Sequence, residues 1–261
     1  MSKSQPHDNI IPAERRQLIL NLLQEREFVS IAELTQFLKV SHMTVRRDLQ
    51  KLEEDGLLSV VSGGAQLSKR ILSEPSHLQK ETLNAQEKDA IGKKAAELVP
   101  PDCCIYLDAG TTSLAMCRYL EQRSDLTIVS NDFEVINYLI DKTESSLIHT
   151  GGLVQKQNRS CIGHLAAQTL AALSIDIAFI SASSWELRGI TTPDRGKVLV
   201  KQEVVRSSRQ RVLICDSSKY AHTATYLAVP LTDLNVIITD KGLSEHAQKM
   251  LSKLDLKLIL V

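Results

Sequence analysis

Read from the amino terminus, the apolar residues fall first at helical spacing and later in short strand-like runs. Leu18, Leu22 and Leu23 give a helix at about 13–25, with Pro12 in its first turn. Ile31, Leu34 and Leu38 give a second helix at 31–38, with Ser30 as N-cap and Glu33 completing a capping box. Val40 and Ser41 form a tight turn, and Ser41 caps a third helix from about His42 to Asp55. In that helix Val45, Leu49 and Leu52 face a core, while Thr44, Arg47 and Lys51 lie on another stripe beside Arg46 and Gln50. Gly56 supplies the stop. Leu57–Val61, Gly63-Gly64 and Ala65–Leu67 read as a hairpin wing.

After residue 68 the pattern changes. Residues 69–85 (KRILSEPSHLQKETLNA) are polar and read as a linker with some helical character. Beyond it, helices expected at 86–98, 112–123, 132–141, 163–173, 195–208 and 244–253 alternate with strands CIYLDAG, DLTIVSN, SSLIHTGG, IDIAFISAS, RVLICDSSK, NVIITDKG and LKLILV. Short Ile/Val/Leu-rich strands between helices suit a mostly parallel sheet covered on both faces. The expected organisation is therefore a head at 1–68, a linker at 69–85 and an α/β domain at 86–261.

The ordered head segment carries chemistry. A docked helix with hydroxyl and guanidinium groups on its outer face suits a major groove. An Arg-Arg pair alone is more often a solvated helix face. The full set of cap, turn, cap, outward Thr and Arg, and Gly-Gly wing favours a winged helix-turn-helix bound to double-stranded DNA. The candidate DNA-binding residues are Ser30, Ser41, His42, Thr44, Arg46, Arg47 and Lys51.

In the α/β half the strand ends are polar. In open α/β sheets ligands sit beyond those ends. The first strand ends in Asp108-Ala109-Gly110-Thr111-Thr112-Ser113, the second in Ser130-Asn131, the third in Thr150-Gly151-Gly152, and a later one in Asp216-Ser217-Ser218-Lys219. Each alone is an ordinary turn and cap. Together they point to a small anionic ligand, with backbone amides and hydroxyls as a phosphate nest and Lys219 as counter-charge.

Composition narrows the reading. Lys plus Arg equals Asp plus Glu at 31 each, so no global basic field attracts nucleic acid. Residues 1–70 hold ten Lys/Arg and nine Asp/Glu, so affinity for DNA must come from local placement and from more than one copy of the head. Neither a signal-peptide pattern nor an apolar run long enough for a bilayer is found, so a cytoplasmic protein without a membrane partner is expected. The five cysteines show no CxxC pairing and the seven histidines no ligand spacing with them; reduced thiols, no metal and no cofactor are expected.

The run VSIAELTQFLKVSHMTVRRDLQKLEEDGLL with its GGA wing resembles the helix-turn-helix of the DeoR family of bacterial sugar-metabolism regulators. DAGTT, the Ser130-Asn131 and Gly151-Gly152 pairs, Gly163 and DSSK resemble the effector domain of the same family, so the likeness spans roughly 12–261. VSHMTVRRDLQKLE, CIYLDAGTT, IHTGG and FISASSW resemble one branch in particular, which implies an acidic four-carbon sugar derivative as effector. Family wings usually carry a basic residue and a histidine where Val60 and Ser62 stand, a departure that Lys69 and Arg70 could offset. The resemblance implies a Rossmann-like α/β effector domain similar to ribose-5-phosphate isomerase and coenzyme A transferase-like folds. It further implies a homo-oligomeric repressor of a carbohydrate or sugar-acid catabolic operon, controlled by a phosphorylated sugar or sugar acid. The candidate effector-binding residues are Asp108, Gly110, Thr111, Thr112, Ser113, Ser130, Asn131, Gly151, Gly152, Lys201, Asp216 and Lys219.

The alternative is a sugar-phosphate isomerase fused to a DNA-binding head. That chemistry needs a carboxylate base. The isomerases carry an acidic cluster where this chain has Ser181-Ala182-Ser183-Ser184, and their catalytic glutamate falls near Lys201, so an enzyme is not expected.

Overall fold

The computed structural model describes residues 10–26, 28–55, 57–61, 63–67 and 69–261. The chain forms two compact units, one of residues up to Lys69 together with Ser244–Met250, the other of Arg70–Leu243 and Leu251–Val261.

The first unit contains α1 (Pro12–Glu25), β1 (Phe28–Ser30), α2 (Ile31–Leu38), α3 (His42–Glu54), β2 (Leu58–Val61) and β3 (Gly64–Leu67). Both N-caps form as the sequence predicts. The Ser30 hydroxyl accepts from the Glu33 amide at 3.1 Å and the Ser30 amide donates to Glu33 at 2.8 Å, closing the box. The Ser41 hydroxyl accepts from the Thr44 amide at 3.2 Å. Ile19 and Leu23 are the buried residues of α1, with Leu18 and Leu22 only half-buried at its flank. Leu34, Leu38, Val45, Leu49 and Leu52 complete the core with Val29, Leu58, Val60 and Ala65. At roughly 1.5–3 kcal/mol for each fully buried aliphatic side chain, this core is what holds so small a unit together.

The wing has a third strand that the hairpin expectation lacks. The antiparallel order is β1-β3-β2, with Val29 opposite Ala65 and Val60 opposite Ala65 on the other side. Gly64 is required there, because a Cβ would lie 2.3 Å from the Val29 carbonyl oxygen of the neighbouring strand. The expected helix stop at Gly56 and the wing position Ser62 lie outside the described residues, as does the Lys69 side chain.

In the second unit, the stretch read as a linker is built. It carries β4 (Lys69–Ile71) and α4 (His77–Thr82), the latter closed by a capping box between Ser76 and Gln79. There follow α5 (Ala85–Ala96), β5 (Cys104–Leu107), α6 (Thr111–Cys117), β6 (Thr127–Ser130), α7 (Phe133–Ile140), β7 (Ser146–His149), the hairpin β8 (Leu153–Gln155) and β9 (Ser160–Ile162), α8 (His164–Ala171) and β10 (Ile175–Ile180). The chain continues through β11 (Ser184–Glu186), β12 (Gly189–Thr192), α9 (Arg195–Ser207), β13 (Ser208–Ile214), β14 (His222–Ala224), β15 (Tyr226–Pro230) and β16 (Val236–Thr239), then α10 (Glu245–Leu251), which up to Met250 belongs to the first unit, and ends in β17 (Lys257–Leu260).

Seven of these strands form one parallel sheet in the order β17-β16-β13-β10-β5-β6-β7. The chain winds outward from β5 through β6 to β7, then returns to β10 on the other side of β5 and winds out to β17. The direction reverses between β5 and β10. Two packed strands leave room for a cleft at such a reversal, because the connections after them cover opposite faces. Ile105, Leu107, Phe179, Val212, Ile214 and Ile238 are fully or almost fully buried, as central strands require. A smaller antiparallel sheet, β11-β12-β15, adds to this frame and was not legible as regular alternation. All five cysteines are free; four are buried and Cys104 is half-buried.

Candidate functional sites: a helix face and a lysine-lined cleft

In the head, α3 presents two faces of opposite character. Val45, Asp48, Leu49, Leu52 and Glu53 are buried. His42, Arg46, Arg47 and Lys51 are exposed and Thr44 is half-exposed. Ser41 is exposed and Ser30 half-exposed, but their hydroxyls are engaged in capping. Lys51 is drawn toward acids of its own helix, 3.1 Å from Asp55 and 3.7 Å from Glu54. Such exposed pairs contribute only about 0–1 kcal/mol, so a phosphate can compete for the ammonium.

Two acids of α3 escaped the sequence reading. Asp48 accepts from both Nε and Nη2 of Arg15 on α1, the latter at 3.1 Å, and Arg15 also donates to the Ile10 carbonyl at 3.2 Å. Glu53 accepts the Val60 amide at 2.9 Å and so ties the end of α3 to the wing. A buried carboxylate is tolerated only with such partners. Both acids sit at core-facing positions of α3, which was the available signal. Val60 is only 8% exposed and belongs to the core, so it is not a place from which a basic side chain could reach phosphate without unpacking the wing.

In the second unit a cleft opens at the carboxyl ends of β5, β10 and β13. It is lined by Ala109, Gly110, Thr111 and Thr112 after β5, Ser181–Ser183 after β10, Lys197 and Lys201 on α9, Lys219 after β13, and Glu74 and Lys80 from the stretch around α4. Four lysines thus converge on one small polar space with a single carboxylate among the lining groups.

Each lysine is held by specific partners. Lys201 pairs with Asp108 and donates to the Ser181 carbonyl at 2.7 Å. Asp108 is 2% exposed and fully engaged: it also accepts from the Ser181 amide at 3.1 Å and from Tyr106 at 3.2 Å. It therefore lies beneath the cleft and aims Lys201 rather than lining the space. Lys197, one helical turn before Lys201, donates to Glu74 at 2.6 Å. Lys80 is 3.5 Å from Glu74 and 2.7 Å from Asn158. Burial would raise the Glu74 carboxyl, but Lys197 and Lys80 outweigh it and hold it at about 2. Burial brings Lys80 down to about 8 despite Glu74. Lys219 lies 3.4 Å from Asp216; burial would lower it, yet Cys215 and Asp216 hold it above the ordinary lysine value.

The structure divides the expected effector residues into three groups. Gly110, Thr111, Thr112, Lys201 and Lys219 line the cleft. Asp108, Ser113, Asn131, Ser130 and Asp216 are buried supports. Asn131 accepts the Ala109 amide at 2.9 Å, Asp132 accepts the Gly110 amide at 2.9 Å, and the Ser130 hydroxyl donates to the Leu107 carbonyl at 2.7 Å. The Ala109 and Gly110 amides are thus turned inward and shape the turn. Asp216 accepts from Asn84 at 2.9 Å, and Ser113 is fully buried. Gly151 and Gly152 stand apart, because β7 lies two strands from β5, about 10 Å, on the side away from β10. Gly152 has φ +119° and a Cβ would lie 3.0 Å from the Ile162 carbonyl oxygen, so its place is explained by packing.

Glu74, Lys80, Lys197 and the Ser181–Ser183 run are cleft residues not among those the sequence marks for effector binding. Lys197 was discoverable from its spacing to Lys201. Glu74 and Lys80 were not, since only tertiary structure brings them to the sheet edge.

A winged helix-turn-helix beside an α/β unit with a cation-lined cleft at its topological switch point defines the class: a DNA-binding transcriptional regulator with its own sensor domain. Comparison with known proteins is specific. Residues 15–70 match the DeoR-like helix-turn-helix domain and residues 83–241 the DeoR C terminal sensor domain. The chain is 54% identical over 250 residues to the uncharacterized HTH-type transcriptional regulator YgbI of Escherichia coli, covering 96% of this chain and 98% of the relative. It is 50% identical to an uncharacterized HTH-type transcriptional regulator of Haemophilus influenzae, covering 97% and 98%. The glycerol-3-phosphate regulon repressor of Escherichia coli is 29% identical over 87% of this chain and 90% of its own. Ribose 5-phosphate isomerase A of Methanocaldococcus jannaschii, at 20% identity and TM-score 0.38 over 52% of this chain and 55% of its own, is too distant to add to the strand order itself. The chain belongs to the DeoR family of transcriptional regulators, in the branch that the CIYLDAGTT and VSHMTVRRDLQKLE runs indicate. Among the described residues no helix is long and apolar enough to cross a membrane.

Proposed function

We propose that this regulator represses a carbohydrate or sugar-acid catabolic operon, acting in the cytoplasm as a homo-oligomer released from DNA by a small phosphorylated metabolite. The observation that carries the effector reading is the convergence of Lys80, Lys197, Lys201 and Lys219 with the hydroxyl-bearing residues Thr111, Thr112 and Ser183. Ammonium groups and hydroxyls without an aromatic wall suit a compact, hydrated anion such as a sugar phosphate. The repressor named for glycerol 3-phosphate supports the ligand class.

On the DNA side, Thr44, Arg46, Arg47 and His42 approach the groove, and Ser30, Ser41 and Lys51 fix the backbone around it. The head as a single copy has little net charge, so two heads on repeated half-sites supply the affinity. The ligand controls binding by favouring one arrangement of the protein over another.

The carboxylates in and beneath the cleft speak against isomerase chemistry. A general base at neutral pH needs a pKa near the working pH. Glu74 is held at about 2 and Asp108 is closed off by Lys201. The test is a thermal-shift screen of inorganic phosphate, sugar phosphates and sugar acids, followed by a mobility-shift assay on the fragment upstream of the neighbouring operon. A hit should stabilise the protein and weaken the shift. Lack of stabilisation by every phosphorylated compound would refute the assigned ligand class.

A further inference from the structure

The cleft already contains an anion, and it belongs to the protein. Glu74 stands on the short segment between β4 and α4, with its side chain 6% exposed. Its Oε2 takes the Lys197 ammonium at 2.6 Å and the Lys80 ammonium at 3.5 Å, and Oε1 lies 3.4 Å from the Thr192 hydroxyl. Two cations and a hydroxyl around one carboxylate are what a binding site for an acidic ligand group would present. The other two lysines of the cleft, Lys201 and Lys219, are anchored from below by Asp108 and Asp216, neither of which lines the space. The four lysines are thus held in two different ways. Lys201 and Lys219 pair with carboxylates that lie outside the space, whereas Lys80 and Lys197 pair with Glu74, the one carboxylate that lines it.

We propose that Glu74 is a resident stand-in for a second acidic group of the effector, which displaces it from Lys80 and Lys197 on binding. This rests on the cleft being the effector site and narrows the effector to a compound with two acidic groups, a phosphate and a carboxylate or two phosphates.

The exchange is physically cheap. Exposing one carboxylate while another takes its place leaves both ammonium groups paired, so the large cost of an unpaired buried charge is not incurred. An effector with one anionic group cannot make that exchange and leaves Glu74 in place. Displacement also has a local consequence. The Glu74 carbonyl accepts from Gln157 at 3.0 Å, and the Ser76 capping box follows at once, so freeing the carboxylate loosens residues 72–76. In sequence this segment begins five residues after Leu67, the last residue of the wing. A ligand that moves Glu74 therefore acts on the stretch of chain leading directly to the head.

A matched pair of probes tests this on the full-length protein. Glycerol 3-phosphate and 3-phosphoglycerate differ in one group, a hydroxymethyl in the first and a carboxylate in the second. Calorimetry gives the ratio of their affinities. In Glu74→Gln the ratio should move toward 3-phosphoglycerate by about tenfold, the scale of one charge-assisted hydrogen bond. In Lys197→Met the preference for the carboxylate should vanish. Should Glu74→Gln fold poorly, Glu74→Asp withdraws the carboxylate by one methylene and shifts the ratio in the same direction. Hydrogen exchange of residues 72–79 should rise with 3-phosphoglycerate and stay unchanged with glycerol 3-phosphate. If glycerol 3-phosphate binds and the ratio is the same in wild type and Glu74→Gln, the stand-in role is overturned while the effector site survives. If neither probe binds to wild type or variant, the effector site itself fails.

Discussion

Replacing Asp48 by alanine should unfold the DNA-binding head while sparing the sensor domain. Asp48 is 3% exposed and forms a two-pronged pair with Arg15, whose side chain is 12% exposed. Removing the carboxylate leaves a guanidinium almost out of water with only the Ile10 carbonyl for company. Breaking a buried pair from one side costs about 3–5 kcal/mol. A unit of this size has a total stability of roughly 3–9 kcal/mol at ~0.05–0.15 kcal/mol per residue. The loss is therefore comparable with everything that holds the head together. Urea unfolding followed by circular dichroism should show an early transition in Asp48→Ala that is absent from wild type, and the mobility shift should disappear. The double variant Arg15→Met/Asp48→Leu removes both charges and should recover most of the stability, because an apolar pair of similar volume is often neutral or better. A loss below about 1 kcal/mol for the single variant, or no recovery in the double, would refute the assignment of this pair as the clamp between α1 and α3.

Other outcomes follow from the same geometry. Arg46→Ala with Arg47→Ala should abolish the mobility shift, and each single change should reduce the salt slope of binding by about one if that side chain contacts phosphate; an unchanged shift would remove this face of α3 from the interface. Lys219→Ala and Lys201→Ala should keep DNA binding but lose most of the response to inorganic phosphate in thermal-shift titrations. The depressed Glu74 carboxyl sets an acid limit for the sensor domain. With the folded value near 2 and the ordinary value at 4.5, its contribution, about 3 kcal/mol, is present above pH 4.5 and is lost as pH falls toward 2. Glu74→Gln should flatten that part of the stability profile measured by thermal melts between pH 6 and 2.5. Gly152→Ala should lower sensor-domain stability by more than about 1 kcal/mol through its positive φ, without changing the affinity for phosphate.

The head was readable because its information is local. Capping residues, the Val40-Ser41 turn and the spacing of Val45, Leu49 and Leu52 act within a few residues of one another, and each formed where the pattern put it. The strand β1 was not readable: three residues long, it gains its identity from pairing with β3 across more than thirty positions. The same distinction applies to Asp48 and Glu53, whose burial is intelligible only once Arg15 and Val60 are beside them.

For the sensor domain, alternation of helices and Ile/Val/Leu runs was enough to determine a parallel α/β sheet, since such strands have no other way to bury both faces. It also placed polar residues at the strand ends. Which ends share a cleft depends on strand order, and strand order is decided by packing over the whole sheet. That is why Lys201 and Lys219 meet Thr111 and Thr112, whereas Gly151 and Gly152, similar in sequence character, stand two strands away. Glu74 shows the limit most clearly. In sequence it is one acid in a polar stretch before Pro75; in the folded chain two lysines, six and more than a hundred residues distant, make it the one carboxylate that lines the cleft. Local chemistry fixed what each segment became, and long-range charge and chain topology fixed what the segments do together.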